Sequence, residues 1–327
     1  MMKRRSVNTL AWAATVALLG VPVQAQTQAQ KSSWPDRPVR MLVGFPAGST
    51  PDTLARTLGE PLSKALGQPV IVENKPGANG QIATEQVAQA RDNQTIGLVG
   101  NGLVSGRLLD SKPPYDPLKD FSFISLVATA PLVLVASAQA PQGAAFFAAA
   151  VQQGSRWNYG SVGNGSMGHL GMELLKTRLK GFAPTHVPFK GNPDVITSII
   201  GGQIQMALVP PGIALPNAKV GRLKVIGLAG GRSIVAPEVP SLADAGVRDF
   251  NVEVWGALVG PAGLSAPARD RLASVVPGIV RGAATRQSLL NQGWQAVGTS
   301  PDGLKTRIAE ETAAIEALVS TRGFQLK

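Results

Sequence analysis

Val39-Arg40-Met41-Leu42-Val43-Gly44-Phe45, then Pro46-Ala47-Gly48-Ser49-Thr50-Pro51-Asp52, then leucines at 54, 58, 62 and 66, decide the fold class of this 327-residue chain. Apart from Arg40 the first seven residues form an unbroken apolar run, the pattern of a strand buried on both faces. A leucine at every fourth position keeps one side of a helix apolar. A buried strand feeding an amphipathic helix through a short Gly/Pro loop is the start of a βαβ unit, and repeats of it build a helix-covered parallel sheet.

Outward from this stretch the alternation continues. Strands are predicted at 70–72 and 95–99, with a helix over 81–90 between them. A second series begins near Pro131, with a strand at 132–136, a helix over 144–152, a strand at 157–159 and a helix over 167–179. Strands at 185–189, 205–209 and 223–228 follow, separated by helical or loop segments. A strand over 251–259 then leads to Gly260-Pro261-Ala262-Gly263 and to helices over 266–280 and 301–319. This predicts an α/β chain of two domains, each a mostly parallel sheet flanked by helices. Residues 34–128 plus 256–327 make the first, discontinuous domain, and 129–255 make the second.

The N-terminus reads as a signal peptide over residues 1–25. Lys3, Arg4 and Arg5 precede an apolar stretch over 10–21, and Val23-Gln24-Ala25 supplies small residues at a cleavage site. That stretch is well short of the roughly 20 residues needed to span a bilayer, so a cleaved segment and a periplasmic location are expected. The absence of Cys excludes disulfides, thiolate nucleophiles and Cys-ligated metals, and His169 and His186 are too few for a histidine metal site. No cofactor is expected. The formal charge of +11 is scattered, without the clustered bases and stacking aromatics of a nucleic-acid surface, so no nucleic-acid partner is predicted. A positive field does favour the approach of anions.

Two loops carry the chemistry. In the first, Ser49 with Asp52 three residues on matches a capping box, and Pro51 suits the first helical turn. The free N–H groups and the dipole of a helix start make an anion site. The second, Tyr159-Gly160-Ser161-Val162-Gly163-Asn164-Gly165-Ser166-Met167-Gly168-His169, again joins strand to helix, with hydroxyls from Ser161 and Ser166 beside closely approachable backbone. It formally contains G-x-G-x-x-G, but no acidic residue follows at the spacing a ribose requires. Asn164-Gly165-Ser166-Met167-Gly168 nearly matches a nucleophile elbow, which leaves an exported serine hydrolase, with Ser166 as nucleophile and His186 as base, as an alternative. Acidic residues are too dispersed to nominate a paired acid and base, and the chain is read as a non-enzyme. If the two domains face each other, each helix start can hold one carboxylate, so that a dicarboxylate bridges the gap.

At this point the chain resembles the tripartite tricarboxylate transporter substrate-binding proteins, the Bug or TctC-like family. The markers include Phe45-Pro46-Ala47-Gly48 with Asp52, Leu66-Gly67-Gln68-Pro69-Val70, and Val72-Glu73-Asn74-Lys75-Pro76-Gly77-Ala78. Pro114-Tyr115-Asp116-Pro117, Asn158-Tyr159-Gly160-Ser161 with Gly163-Asn164-Gly165-Ser166, and Val187-Pro188-Phe189-Lys190-Gly191 continue the likeness through essentially the whole mature chain. The resemblance implies a two-domain periplasmic binding fold that closes like a flytrap on a small carboxylate. It also implies a two-component membrane permease as partner, and a monomer is the default for a protein that docks onto one. A sensing role feeding a sensor kinase is the alternative within the same fold.

The family's ligand positions, held largely through backbone N–H groups and water, match Phe45, Ala47, Gly48, Ser49, Ser161, Gly163, Ser166 and Gly191 here. Asn101-Gly102-Leu103 stands where the family has a Gly-Thr type loop, and Asn101 and Gly102 join the candidate set. Ser49 replaces a usual glycine, Phe189 a usual tyrosine, and Val209-Pro210-Pro211 a segment that often carries Asp near the ligand. Without that carboxylate an amino group has no partner, so a simple carboxylate, dicarboxylate-like, is expected over an amino acid.

Overall fold

The computed structural model describes residues 34–106 and 114–322, with side chains as far as residue 317; the signal-peptide assignment at 1–25 lies outside them. The first sheet is built from β1 (Val39–Val43), β2 (Val70–Asn74), β3 (Thr95–Gly100), β4 (Phe121–Pro131), β10 (Glu253–Pro261) and β11 (Gln295–Ala296), in the order β11-β4-β10-β3-β1-β2. The second holds β5 (Val133–Ser137), β6 (Asn158–Ser161), β7 (Thr185–Pro188), β8 (Met206–Val209) and β9 (Leu223–Leu228), in the order β7-β6-β8-β5-β9.

Helices cover both faces of each sheet. On the first, α1 (Thr50–Leu66), α8 (Ala266–Arg281) and α9 (Ala283–Asn291) bury Leu54, Leu58, Leu62, Leu272, Val276 and Leu289 against Met41, Ile96 and Ile124. The predicted leucine face of α1 is thus a core face, and each such leucine contributes about 2 kcal/mol of burial free energy. On the opposite face α2 (Gln81–Gln89), the short α3 (Gly102–Ser105) and α10 (Pro301–Arg322) place Val87, Leu103, Leu304 and Ile308 against Leu42 and Val259. In the second unit α4 (Ala144–Gln153) and α5 (Met167–Arg178) pack Phe146, Met172 and Leu175 on Leu134 and Leu208. On its other face α6 (Asn192–Ile200) and α7 (Pro211–Lys219) pack Val195, Ile199 and Ala214 on Val133 and Val135.

The α/β architecture agrees with the sequence reading, with one refinement: the sheets are mixed. β10 runs antiparallel to β3 and β4, and β5 antiparallel to β8 and β9. Both are the strands that receive the chain from the other sheet. A strand arriving at the end where the parallel strands leave must run against them. The chain crosses at Leu132 and returns at Val252, and the crossings are stitched by Leu132 N–H to Val252 O (2.9 Å), Ala229 N–H to Leu132 O (2.8 Å) and Val252 N–H to Ala229 O (2.9 Å). The sequence reading does not include β4: its run, Phe121-Ser122-Phe123-Ile124-Ser125-Leu126-Val127-Ala128-Thr129-Ala130-Pro131, is broken by Ser122, Ser125 and Thr129, so it shows neither clean alternation nor an unbroken apolar stretch, although most of it is buried.

Candidate functional site

Between the sheets lies a narrow cavity of roughly 70 Å³. It gathers the loops that leave the ends of β1, β3, β6 and β8, together with Leu132 and Trp255 at the crossings. Such strand-end crevices are where open α/β sheets bind ligands. A wider groove along α7, α9 and residues 238–245 receives none of the loops after β1, β3 or β6, which removes it as the candidate. Among the described residues, the cavity lining contains no charged side chain. Phe45, Leu132, Met167, Leu208, Trp255 and Trp294 supply its apolar surface, and Thr50, Asn79, Ser166 and Asn192 its polar groups.

The loop after β1 is shaped by Asp52. Its carboxylate, 2% exposed, accepts Gly48 N–H (2.9 Å), Arg56 Nε–H (3.0 Å) and Asn74 Nδ2–H (2.9 Å). Burial alone would raise its pKa, but the bonds from Arg56, Gly48 and Asn74 outweigh that and hold it below the usual value. The predicted capping box is not formed. Ser49 is the N-cap of α1 by backbone geometry, yet its side chain caps nothing, and its Oγ is buried without a partner. Asp52 turns outward from its own helix to Gly48 instead, since the second carboxylate oxygen is drawn to Arg56 and Asn74. Phe45 lines the cavity, while Ala47 and Gly48 are exposed at its rim.

The loop after β6 is organised without a formal charge. Gly163 and Gly165 take φ of 111° and 72°, a region side chains rarely adopt. Ser161 Oγ accepts Gly163 N–H (3.2 Å), donates to Gly163 O (3.0 Å) and lies 2.7 Å from His186 Nε2. A serine hydroxyl has one proton, so all three contacts are satisfied together when His186 donates from Nε2. Ser166 lines the cavity and caps α5 by accepting His169 N–H (3.3 Å). Gly165 N–H donates to His169 Nδ1 (3.0 Å), which fixes His169 as neutral with its proton on Nε2. The rings of His169 and His186 stack at 4.1 Å, and Tyr159 stacks on His186 at 4.9 Å. Burial, followed by the neighbouring His169 ring, pushes His186 down to about 4, and burial also lowers His169.

This wiring gives the hydrolase alternative no support. Ser166 serves as a helix cap, while the His186 ring is engaged with Ser161 and the His169 ring with Gly165. Glu173, the carboxylate nearest the histidine stack, is held by Tyr159 OH and Lys176, both at 2.6 Å.

Asn101 and Gly102 line the cavity from the end of β3, but the Asn101 side chain faces inward. It donates to Glu311 Oε1 (2.7 Å) and accepts Trp255 N–H (3.1 Å), so only its backbone is left for a ligand. Gly191 meets the opposite loop, where a Cβ would lie 3.2 Å from Pro46 Cδ. Gly163 likewise faces Asn79, whose backbone nitrogen would be 3.8 Å from such a Cβ. A third contact joins the sheets at Gly212 of α7 and Gly293 after α9. A Cβ at Gly212 would fall on the carbonyl of Gln292, and one at Gly293 on the nitrogen of Gly212.

Sequence reasoning did not find Thr50, Asn79, Asn192, Trp255 or Trp294. Asn79 carried a signal, the turn dipeptide Asn79-Gly80 between strand and helix, and it sits at φ 52° in the left-handed region. Trp294 carried none. The start of α7 also faces the cavity through Pro210, yet Pro210 and Pro211 lack N–H groups, so this third helix start offers few donors.

The sequence profile of the tripartite tricarboxylate transporter family receptor matches residues 54–324. The chain is 31% identical to a UPF0065 protein of Bordetella bronchiseptica, over 97% of this chain and 94% of that one. It is 30% identical to protein BugT of Bordetella pertussis, over 94% of each. Among solved structures it is similar to the periplasmic binding protein BugD, with TM-score 0.83 and 25% identity over 89% of this chain and 99% of that one. It is also similar to MatC of Rhodopseudomonas palustris with bound malate, with TM-score 0.81 and 30% identity over 88% of this chain and 100% of that one. A further Rhodopseudomonas palustris protein, solved with adipate, gives TM-score 0.84 and 27% identity over 89% and 98%.

Proposed function

The chain belongs to the tripartite tricarboxylate transporter receptor family, and from that premise we propose that it captures a small carboxylate between its two lobes and delivers it to a two-component membrane permease. The family is one of solute-binding proteins rather than enzymes. Malate and adipate in two of the similar structures support a carboxylate ligand here. The observation that carries the reading is a cavity that, among the described residues, has no charged side chain and is ringed by loop ends from both sheets and by the neutral donors Thr50, Asn79, Ser166 and Asn192. An anion can be held there by oriented N–H and O–H dipoles. The ammonium of an amino acid would find no carboxylate, since Asp52 is spent on Gly48, Arg56 and Asn74.

In this proposal residues 34–128 with 256–327 form one closing domain and 129–255 the other, hinged where the chain crosses at Leu132 and Val252. Phe45, Ala47, Gly48 and Ser49 line the ligand from one side with Asn101 and Gly102. Ser161, Gly163, Ser166 and Gly191 approach it from the other. The protein acts as a periplasmic monomer, exported through residues 1–25; among the described residues no helix is long and apolar enough to cross a membrane. The sensing alternative has no support, because the family is one of transporter receptors.

A thermal-shift panel of dicarboxylates, tricarboxylates, aromatic acids and amino acids on the mature protein tests this. An acid at 100 times its Kd should stabilise by about 2.7 kcal/mol. Binding of aspartate or glutamate with no binding of any dicarboxylate would overturn the simple-carboxylate reading. A flat panel after refolding to strip carried-over ligand would overturn capture itself.

A further inference from the structure

We propose that Trp294 is a specificity-determining residue of the cleft, donating its indole N–H to an oxygen of the bound carboxylate. Its side chain lines both the cavity and the recess behind it, beside Phe45 and Trp255, and Trp294 is 2% exposed. Its Nε1 is buried with no acceptor. The contrast with other indoles is informative: Trp34 donates to Asn93 O at 2.7 Å and Trp255 to Glu311 Oε2 at 2.5 Å.

A buried, unpaired N–H is costly, so such groups are rare unless something supplies the partner. Among the described residues no acceptor reaches this one, and the cavity that Trp294 borders is the place from which an acceptor can come. An indole donates only, which selects an oxygen that accepts, as both oxygens of a carboxylate do. Trp294 is also held in place. Its backbone N–H bonds Leu289 O at 2.8 Å, and its ring packs in the core formed by α1, α8 and α9. A fixed donor discriminates among ligands by the position of their oxygens, because a ligand that misses it leaves the cost in place. With Phe45, Leu132 and Trp255 around it, the ligand that suits this donor carries its carboxylate on a hydrocarbon body.

This inference rests on the carboxylate-capture reading, and the experiment separates the two. Calorimetric titration of the wild-type mature chain with adipate, then with malate, establishes binding. Trp294→Phe keeps an aromatic ring and removes the donor. The expected result is a weakening on the order of tenfold or more for the acid that binds, the size of one hydrogen bond to a charged acceptor. In ¹⁵N-labelled wild type, the indole proton that Trp294→Phe deletes should move downfield at saturation while that of Trp34 stays. Equal affinity of the two proteins within twofold overturns the assignment of Trp294 and leaves capture standing. So does an indole resonance that does not move at saturation. Failure of the wild type to bind either acid or any other member of the panel overturns both.

Discussion

The two helix-start loops that face each other across the cleft look alike in sequence, yet they are held in different ways. The loop at 45–52 is tied by a buried carboxylate: Asp52 gathers Gly48, Arg56 and Asn74 onto one charge. The loop at 161–169 is tied by two hydroxyls and two neutral imidazoles. Both present backbone to the cavity with no charged side chain in contact with it. They differ in what must be protonated for the tie to break, and so in the conditions under which each half of the site survives.

Removing the single charge is expected to have the largest effect. Asp52→Ala strips the acceptor from Gly48 N–H, Asn74 and Arg56 together, and should cost about 2–4 kcal/mol in chemical denaturation and abolish ligand shifts in the same assay. A loss below about 1 kcal/mol would mean the 45–52 loop does not depend on its carboxylate.

Acid should then separate the loops. His169 and His186 have lowered pKa values, so below the ordinary histidine value of 6.5 the unfolded chain binds protons that the folded chain refuses. Stability is full above that pH and falls as pH is lowered, for His186 until about pH 4, at up to about 1.4 kcal/mol per pH unit for each histidine. A proton on His169 Nδ1 also opposes Gly165 N–H directly. Asp52 has a lowered pKa, so its contribution persists above its ordinary value of 3.8 and is lost only as pH falls below it. Urea melts and ligand titrations at about pH 7.5 and about pH 5, on either side of the ordinary histidine value, read the difference. Unchanged values would show that the histidine stack does not hold its loop.

The smallest effect compares the two N-cap serines. Ser166→Ala removes a formed cap and should cost about 1 kcal/mol. Ser49→Ala removes a hydroxyl that has no partner and should leave the unliganded melting midpoint nearly unchanged, while both variants weaken binding. Equal destabilisation by the two would erase the distinction between the loops.

Much of this was legible from residue patterns because it follows from period and punctuation. The leucines of α1, the strand-loop-helix order and the glycine-serine loops point to the fold and to two of the loops that reach the cavity. What was hidden depends on contacts distant in sequence. The Ser49–Asp52 spacing suggested a capping box, but Asn74 and Arg56 redirect Asp52. Asn101 lines the cavity as expected, but Glu311, 210 residues later, holds its side-chain amide and leaves the backbone to face the cleft. Trp294 follows α9 with no motif around it, and only folding brings it to the cleft.

At Gly212 and Gly293 the two halves of the chain meet backbone to backbone, with no room for a side chain between them. In the proposed closure this seam would act as a stop, since no side chain there can rotate aside. The width of the proposed chamber would then be written in backbone, and ligands of different length would be accommodated by the loops at its mouth.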